Sequence, residues 1–207
     1  MMHIKVISAG PLETNCYIVG CDVTHEAVII DPGYDADTIL KNVNDMKLKV
    51  LRILLTHGHF DHCSALRDIK EKLNIPIAVH GDDLFFISQA KSHAGLYGIK
   101  ITDVPLPDIF IADEDTFEFG NYSLKTIHTP GHTAGSVCFL TGKYLFSGDT
   151  LFKGSIGRTD LPGGNYNNII NSILNRLYVL DKDTIVLPGH GPQTTIGDEI
   201  RFNPYTS

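Results

Sequence analysis

The chain of 207 residues has no unbroken apolar run near the roughly 18 residues that suggest a membrane span. Its start, MMHIKVISAGPLETNCYIVG, lacks the basic opening, apolar centre and small-residue cleavage site of an export signal. A soluble, cytoplasmic protein with no membrane association is therefore expected. Cysteine is sparse: Cys16, Cys21, Cys63 and Cys138 form no C-x-x-C pair. Neither a disulfide framework nor a thiolate zinc site is indicated, and four reduced thiols are expected. No cluster of Lys and Arg occurs, and 24 acidic against 17 basic residues give a net charge of −7, which argues against nucleic acid as partner. No Pro/Ser-rich or low-complexity stretch marks a linker, so a single domain spanning residues 1–207 is expected.

Short β-branched and apolar runs are present instead, among them HIKVIS, CYIVG, EAVIID, VLRILLT, IPIAVH, LKTIH, SVCFL, KYLFSG and TIVLPG, each closed by Gly, Pro or a polar residue. They read as strands. Helical spacing occupies 36–46, 64–73, 82–89 and 166–180. Hairpin-like pairs near the start and around Asn121 and Gly142 exclude a purely parallel sheet. Residues 91–113 have weak periodicity and read as a long surface loop or a lid.

The chemistry is concentrated in histidine. Ten are present, and five fall into a pattern with acidic residues. In LRILLTHGHFDHCSA an apolar strand runs into His57, His59, Asp61 and His62. Residues two apart on extended chain share a direction, so His57 and His59 can face one point, with Asp61 and His62 at the following turn. The same grammar, strand then Gly then ligand, recurs at LKTIHTPGH for His132, KYLFSGD for Asp149 and TIVLPGH for His190. Parallel neighbouring strands would bring these ends together. Imidazole and carboxylate suit zinc, iron or manganese, and the absence of Cys from the set disfavours a purely structural zinc site. Seven ligands exceed one tetrahedral ion but suit two divalent ions sharing a carboxylate, with Asp149 the candidate bridge.

H-x-H-x-D-H followed by His, Asp and His resembles the metallo-β-lactamase superfold. The resemblance runs from Thr14-Asn15-Cys16-Tyr17 and Asp31-Pro32-Gly33 to Leu187-Pro188-Gly189-His190-Gly191. It implies an α+β fold, an αββα sandwich of two mixed β-sheets flanked by helices. It further implies that His57, His59 and His132 take a first metal and Asp61, His62 and His190 a second, bridged by Asp149. GDTLFKGSIGRTDLPGG and PGHGPQTTIGDEIRFNPY look like the short bacterial glyoxalase II (hydroxyacylglutathione hydrolase) group. That likeness implies hydrolysis of a small-molecule thioester such as S-lactoylglutathione by a metal-bridging hydroxide, which Asp61 would orient as the catalytic residue. Zinc is the first choice of metal. Persulfide dioxygenases, which share the fold and the Gly-Arg-Thr-Asp loop but use one iron, are the main rival. A non-enzymatic metal-binding protein is the third reading. The absence of an export signal sets β-lactam substrates aside, and the 17 residues after His190 leave no room for a glutathione-gripping helical domain.

Around the motif, Arg158 stands where the resembling family places a basic substrate-binding residue, though pairing with Asp160 would equally explain it. Asp31 is expected to hydrogen-bond a ligand histidine. His3, His25, His80, His93 and His128 are expected at the surface or hydrogen-bonded outside the site, Cys63 as a buried thiol, and Phe85-Phe86 as core or lid. Oligomeric state has no signal in the sequence.

Overall fold

The computed structural model describes residues 1–206. Strands β1 (Met2–Ala9), β2 (Thr14–Cys21) and β3 (Glu26–Ile30) form an antiparallel meander. Helix α1 (Ala36–Asp45) then leads into β4 (Lys49–Leu54). The short turn α2 (Phe60–Cys63) and helix α3 (Leu66–Leu73) lead to β5 (Ile77–His80), and helix α4 (Leu84–Leu96) leads to β6 (Ile109–Ile111). From β3 onward each new strand is parallel to the last, giving a six-stranded mixed sheet in sequential order.

A second six-stranded sheet follows. It begins with the antiparallel run β7 (Thr116–Phe119), β8 (Tyr122–His128), β9 (Val137–Thr141) and β10 (Tyr144–Gly148). A small ribbon of β11 (Leu151–Phe152) and β12 (Ser155–Ile156) and helix α5 (Tyr166–Ser172) intervene. Then β13 (Ile185–Pro188) joins β10 in parallel, β14 (Thr194–Thr195) adds at the edge, and helix α6 (Ile196–Phe202) follows.

Strand periodicity builds the layers. Alternate residues point to opposite faces of a sheet. Ile18, Ile29 and Ile53 therefore face α1 and α3, meeting Ile39, Leu66 and Ile69, while Val19, Val28 and Leu54 face the other sheet. The second sheet mirrors this: Phe139 and Phe146 point between the sheets, whereas Cys138 and Leu145 point outward to Ile169 of α5 and Ile196 of α6. The result is the αββα sandwich that the resemblance implied.

Local chemistry sets the helix ends. Asp35 accepts from the Thr38 amide at 3.2 Å to start α1, and Asn74, in left-handed conformation, donates to Lys70 O to stop α3. Two helical boundaries differ from expectation. Helix α4 continues to Leu96, because Ile87, Ala90 and Ala94 carry a buried stripe past Gln89 in residues too small to register as strongly apolar. The main stretch then without regular structure is 97–108, where Ile99, Ile101 and Val104 pack against the core, so this segment is anchored rather than free. The expected helix 166–180 is α5 followed by a wider π turn, Ile173–Leu177.

Phe146 is fully buried between the sheets on β10, the strand that leads into Asp149. Phe146→Ala should lower unfolding free energy by about 3–5 kcal/mol through lost burial and a residual cavity. Denaturant titration checks this, and a loss below about 1 kcal/mol would contradict the packing described.

Candidate metal centre

The strand ends do converge, but not as one row of neighbours. His57 follows β4 of the first sheet, while His132, Asp149 and His190 follow β8, β10 and β13 of the second. Within the second sheet β9 runs antiparallel between β8 and β10, which are therefore parallel to each other across a gap. All seven predicted residues meet at one edge of the sandwich.

They meet as two groups. His57 Nε2 and His132 Nε2 lie 3.1 and 2.9 Å from His59 Nδ1. His62 Nε2 lies 3.3 Å from His190 Nε2, and Asp61 Oδ2 is 3.5 and 3.2 Å from these nitrogens. Asp149 sits between the groups, Oδ1 at 3.3 Å from His62 Nε2 and Oδ2 at 3.6 Å from both His132 Nε2 and His190 Nε2.

The outer nitrogens decide what these contacts are. His132 Nδ1 donates to Arg158 O at 2.8 Å, His190 Nδ1 to Leu12 O at 2.9 Å and His62 Nδ1 to Asp31 Oδ2 at 3.0 Å. The Thr56 hydroxyl donates to Asp31 Oδ2 at 2.6 Å and so accepts from His57 Nδ1 at 3.2 Å. With their outer nitrogens protonated, neutral rings present bare lone pairs to one another at about 3 Å, an arrangement that repels unless a cation sits among them. Asp149 Oδ1 is buried and receives no hydrogen bond. Imidazole and carboxylate donors around an orphaned carboxylate oxygen fit divalent cations, and could hold them in the groups His57, His59, His132 and Asp61, His62, His190.

Without a cation the electrostatics divide the cluster, lowering His57 and His59 and raising His62 and His190. Burial, reinforced by His62 and His59, holds His57 well below the usual imidazole range, and burial beside His132 lowers His59 to about 3. Burial disfavours the charged form of His62 too, but Asp61, Asp149 and Asp31 outweigh it and raise that group. Asp149 is likewise penalised by burial, and His62, His57 and His132 nevertheless hold it well below the carboxylate range.

Framework residues supply the precision. Asp31 also accepts the Thr56 amide at 2.7 Å, so one carboxylate braces His57 through Thr56 and His62 directly, the role expected of it. Asn15 Nδ2 donates to Pro188 O and Gly191 O, and the Tyr17 hydroxyl to Pro188 O, so the Thr14-Asn15-Cys16-Tyr17 motif clamps the loop that carries His190. Thr14 Oγ1 donates to Asp61 Oδ2 at 3.2 Å, and Asp61 caps no helix: His59 occupies the N-cap of α2. The Gly before a ligand also has a cause. A Cβ on Gly189 would lie 2.3 Å from Asp149 Oδ1, and Gly148 turns the chain at φ +49°.

Sequence reasoning missed Asp83. Fully buried ahead of α4, it accepts from the Gly58 and Gly135 amides and the Thr133 hydroxyl, each at 2.8 Å, tying the His57–His62 loop to the His132 loop. Burial raises its carboxyl, with those three bonds opposing. The signal available was an acidic residue in Gly81-Asp82-Asp83 at a strand-to-helix turn, which a cap explains as readily.

A cavity of about 610 Å³ opens onto His59, Asp61, His132, Asp149 and His190. Arg158 is on its wall, but the guanidinium is forked onto Asp160 at 2.9 and 2.8 Å, and the residue's backbone oxygen is what holds His132. His93, expected outside the site, also lines the cavity, as does Phe86, whose ring lies 5.0 Å from that of His59. Away from this cavity His80 and His128 stack with planes 7° apart, and with Asp82 they place potential ligand atoms within 4.8 Å of one another. Cys63 is a buried thiol, as expected.

Residues 9–190 match the Metallo-beta-lactamase superfamily. The Haemophilus influenzae protein named hydroxyacylglutathione hydrolase GloC is 36% identical, with 99% of this chain and 98% of that one covered. The structure of BLEG-1 B3 metallo-beta-lactamase is 39% identical and superposes with a TM-score of 0.92, covering 99% of this chain and all of the other. TTHA1623 in a di-iron-bound form, also 39% identical, gives a TM-score of 0.88 over 97% of this chain and 99% of its own.

Asp83→Ala should strip three buried donors of their acceptor, lowering stability by about 3 kcal/mol or more. Metal affinity should fall with it, since the loops lose their tie. Denaturation and metal titration on the same preparation check this, and unchanged values in both would remove Asp83 from the framework.

Proposed function

The chain belongs to the metallo-β-lactamase superfamily, and we propose that within it the protein is a metal-dependent hydrolase of small thioesters, with Asp149 shared between two divalent ions. The observation that carries the metal assignment is the set of inward-facing lone pairs around the orphaned Asp149 Oδ1. The thioester assignment is supported by likeness to GloC along almost the whole of both chains.

Bound there, two divalent cations, zinc by preference, supply a water acidic enough to ionise near neutral pH and a Lewis acid for the substrate carbonyl. Asp61, held by Thr14 at Oδ2 and lining the cavity, would be the acceptor that orients such a water. His57, His62, His132 and His190 keep fixed tautomers through Thr56, Asp31, Arg158 O and Leu12 O, so the geometry is preset before substrate arrives. Phe86, Phe152 and Leu161 give the cavity apolar lining beside the metal ligands. No general acid is required for departure, because a free thiol has a pKa of about 8.5 and leaves as thiolate.

BLEG-1 carries the name of a β-lactamase at 39% identity over the full chain, so the start of the sequence is no ground for setting β-lactams aside. A β-lactam accordingly belongs in the substrate panel, and the di-iron neighbour makes iron a metal to supply beside zinc.

Elemental analysis should find close to two ions per chain, and His190→Ala should lose about one of them. A single tightly held iron, with brisk oxygen uptake on a glutathione persulfide and no thioester hydrolysis, would overturn the hydrolase in favour of a dioxygenase. Asp149→Ala should cut turnover by at least about a thousandfold while far-ultraviolet circular dichroism stays unchanged, since the shared oxygen donor is lost. Near-normal turnover in that folded variant would contradict the shared site. Arg158→Ala should raise KM more for carboxylate-bearing than for neutral thioesters if the guanidinium leaves Asp160 to meet substrate; an equal change for both would assign it to bracing the loop.

A further inference from the structure

The cavity beside the metal centre has a composition that the reaction alone does not explain. Its lining includes Phe86, Leu96 and Tyr97 from α4 and its end, and Phe152, Leu161 and Pro162 from the segment after β10. Leu96 is 82% exposed and Tyr97 56% exposed, a pair of large apolar side chains standing at the rim. Solvent-exposed apolar groups grouped at a cavity mouth mark a binding surface more often than isolated ones do.

The charge pattern narrows the occupant. Arg158 is the one side chain of fixed positive charge among the lining residues, and both its Nε and Nη2 are already satisfied by Asp160. Away from the metal centre the polar groups offered are His93, Ser155 and the Tyr97 hydroxyl. A substrate body carrying two carboxylates and an ammonium, as the glutathione tripeptide does, meets in the lining a single fixed cation, Arg158, which is paired with Asp160. An alkyl or aryl body finds a lining rich in apolar side chains.

We infer that the part of the substrate away from the scissile bond is an uncharged alkyl or aryl group lying against the cavity lining of Leu96, Tyr97, Phe152 and Leu161. The protein is thereby selective for apolar thioesters over glutathione thioesters. This rests on the thioester hydrolase reading and specifies its substrate class. Burying one methylene is worth about fourfold in binding, so the preference should be graded with chain length until the cavity is filled.

The test uses the fully metallated protein. A first series holds the thiol constant as N-acetylcysteamine and lengthens the acyl group from acetyl to hexanoyl; a second holds acetyl constant and changes the thiol from N-acetylcysteamine to benzyl mercaptan. S-lactoylglutathione is run beside them. The expected result is a kcat/KM that rises about two- to fourfold per methylene or on adding the benzyl group, with the best apolar thioester exceeding S-lactoylglutathione. Whichever series carries the gradient tells whether the acyl or the thiol side lies against this lining. Leu96→Asp should flatten it. Flat series, with S-lactoylglutathione the best substrate, overturn the inference.

Calorimetry with non-hydrolysable thioethers makes the outcome independent of turnover. Affinity should rise from methyl to hexyl on N-acetylcysteamine, and placing the same hexyl group on glutathione should bring no gain. A tenfold gain from glutathione overturns the apolar preference. If no thioester at all is turned over while the thioether gradient holds, the hydrolase reading falls and the apolar binding site stands.

Discussion

Which nitrogen of each imidazole carries the proton governs the whole centre. A histidine can ligate only through a bare nitrogen, and the ring turns either nitrogen inward unless something behind it chooses. Here the choice is made by four acceptors outside the cluster: Asp31 for His62, the Thr56 hydroxyl for His57, Arg158 O for His132 and Leu12 O for His190. Asp31 is the most economical of them, since one buried carboxylate fixes His62 directly and, through Thr56, fixes His57 in the other group. It holds left-handed backbone at φ +51° to do so, a conformation Asp tolerates better than most residues.

The sandwich can be understood as the frame that brings these acceptors and ligands to one edge. The first sheet contributes the dense loop after β4, the second the three single ligands after β8, β10 and β13, and neither sheet alone has a complete group. Three cross-ties hold the edge together: Asp83 between the His59 and His132 loops, Asn15 and Tyr17 on the strand end before His190, and the bridge that pairs Thr14 with His190. Stability and function are thus coupled through buried polar groups whose partners lie on different sheets. Loosening any tie frees an imidazole to turn.

The seven residues were legible because ligand chemistry is local: a strand end, a glycine and a His or Asp leave a pattern that needs no tertiary information. The strands were legible for the same reason: the runs CYIVG and KYLFSG overlap β2 and β10. What stayed hidden depended on distant partners. Asp83 reads as a helix cap until Gly58 and Gly135 are seen to approach it, α4 reads as ending at Gln89 because alanines carry its buried stripe, and Arg158 matters here through a backbone oxygen that no side-chain pattern encodes. Parallel neighbouring strands hold for β10 and β13 but not for β8, which β9 separates from β10, because order along a sheet is set by pairings that local sequence does not encode.

The central claim is that the two groups of lone pairs hold two cations joined by Asp149. X-ray absorption at the metal edge of the metallated protein tests it most directly. The account predicts a first shell of nitrogen and oxygen without sulfur, imidazole scattering, and a metal–metal vector of about 3.5–4 Å. A spectrum with sulfur in the first shell, or with full metal loading and no metal–metal vector, would contradict it.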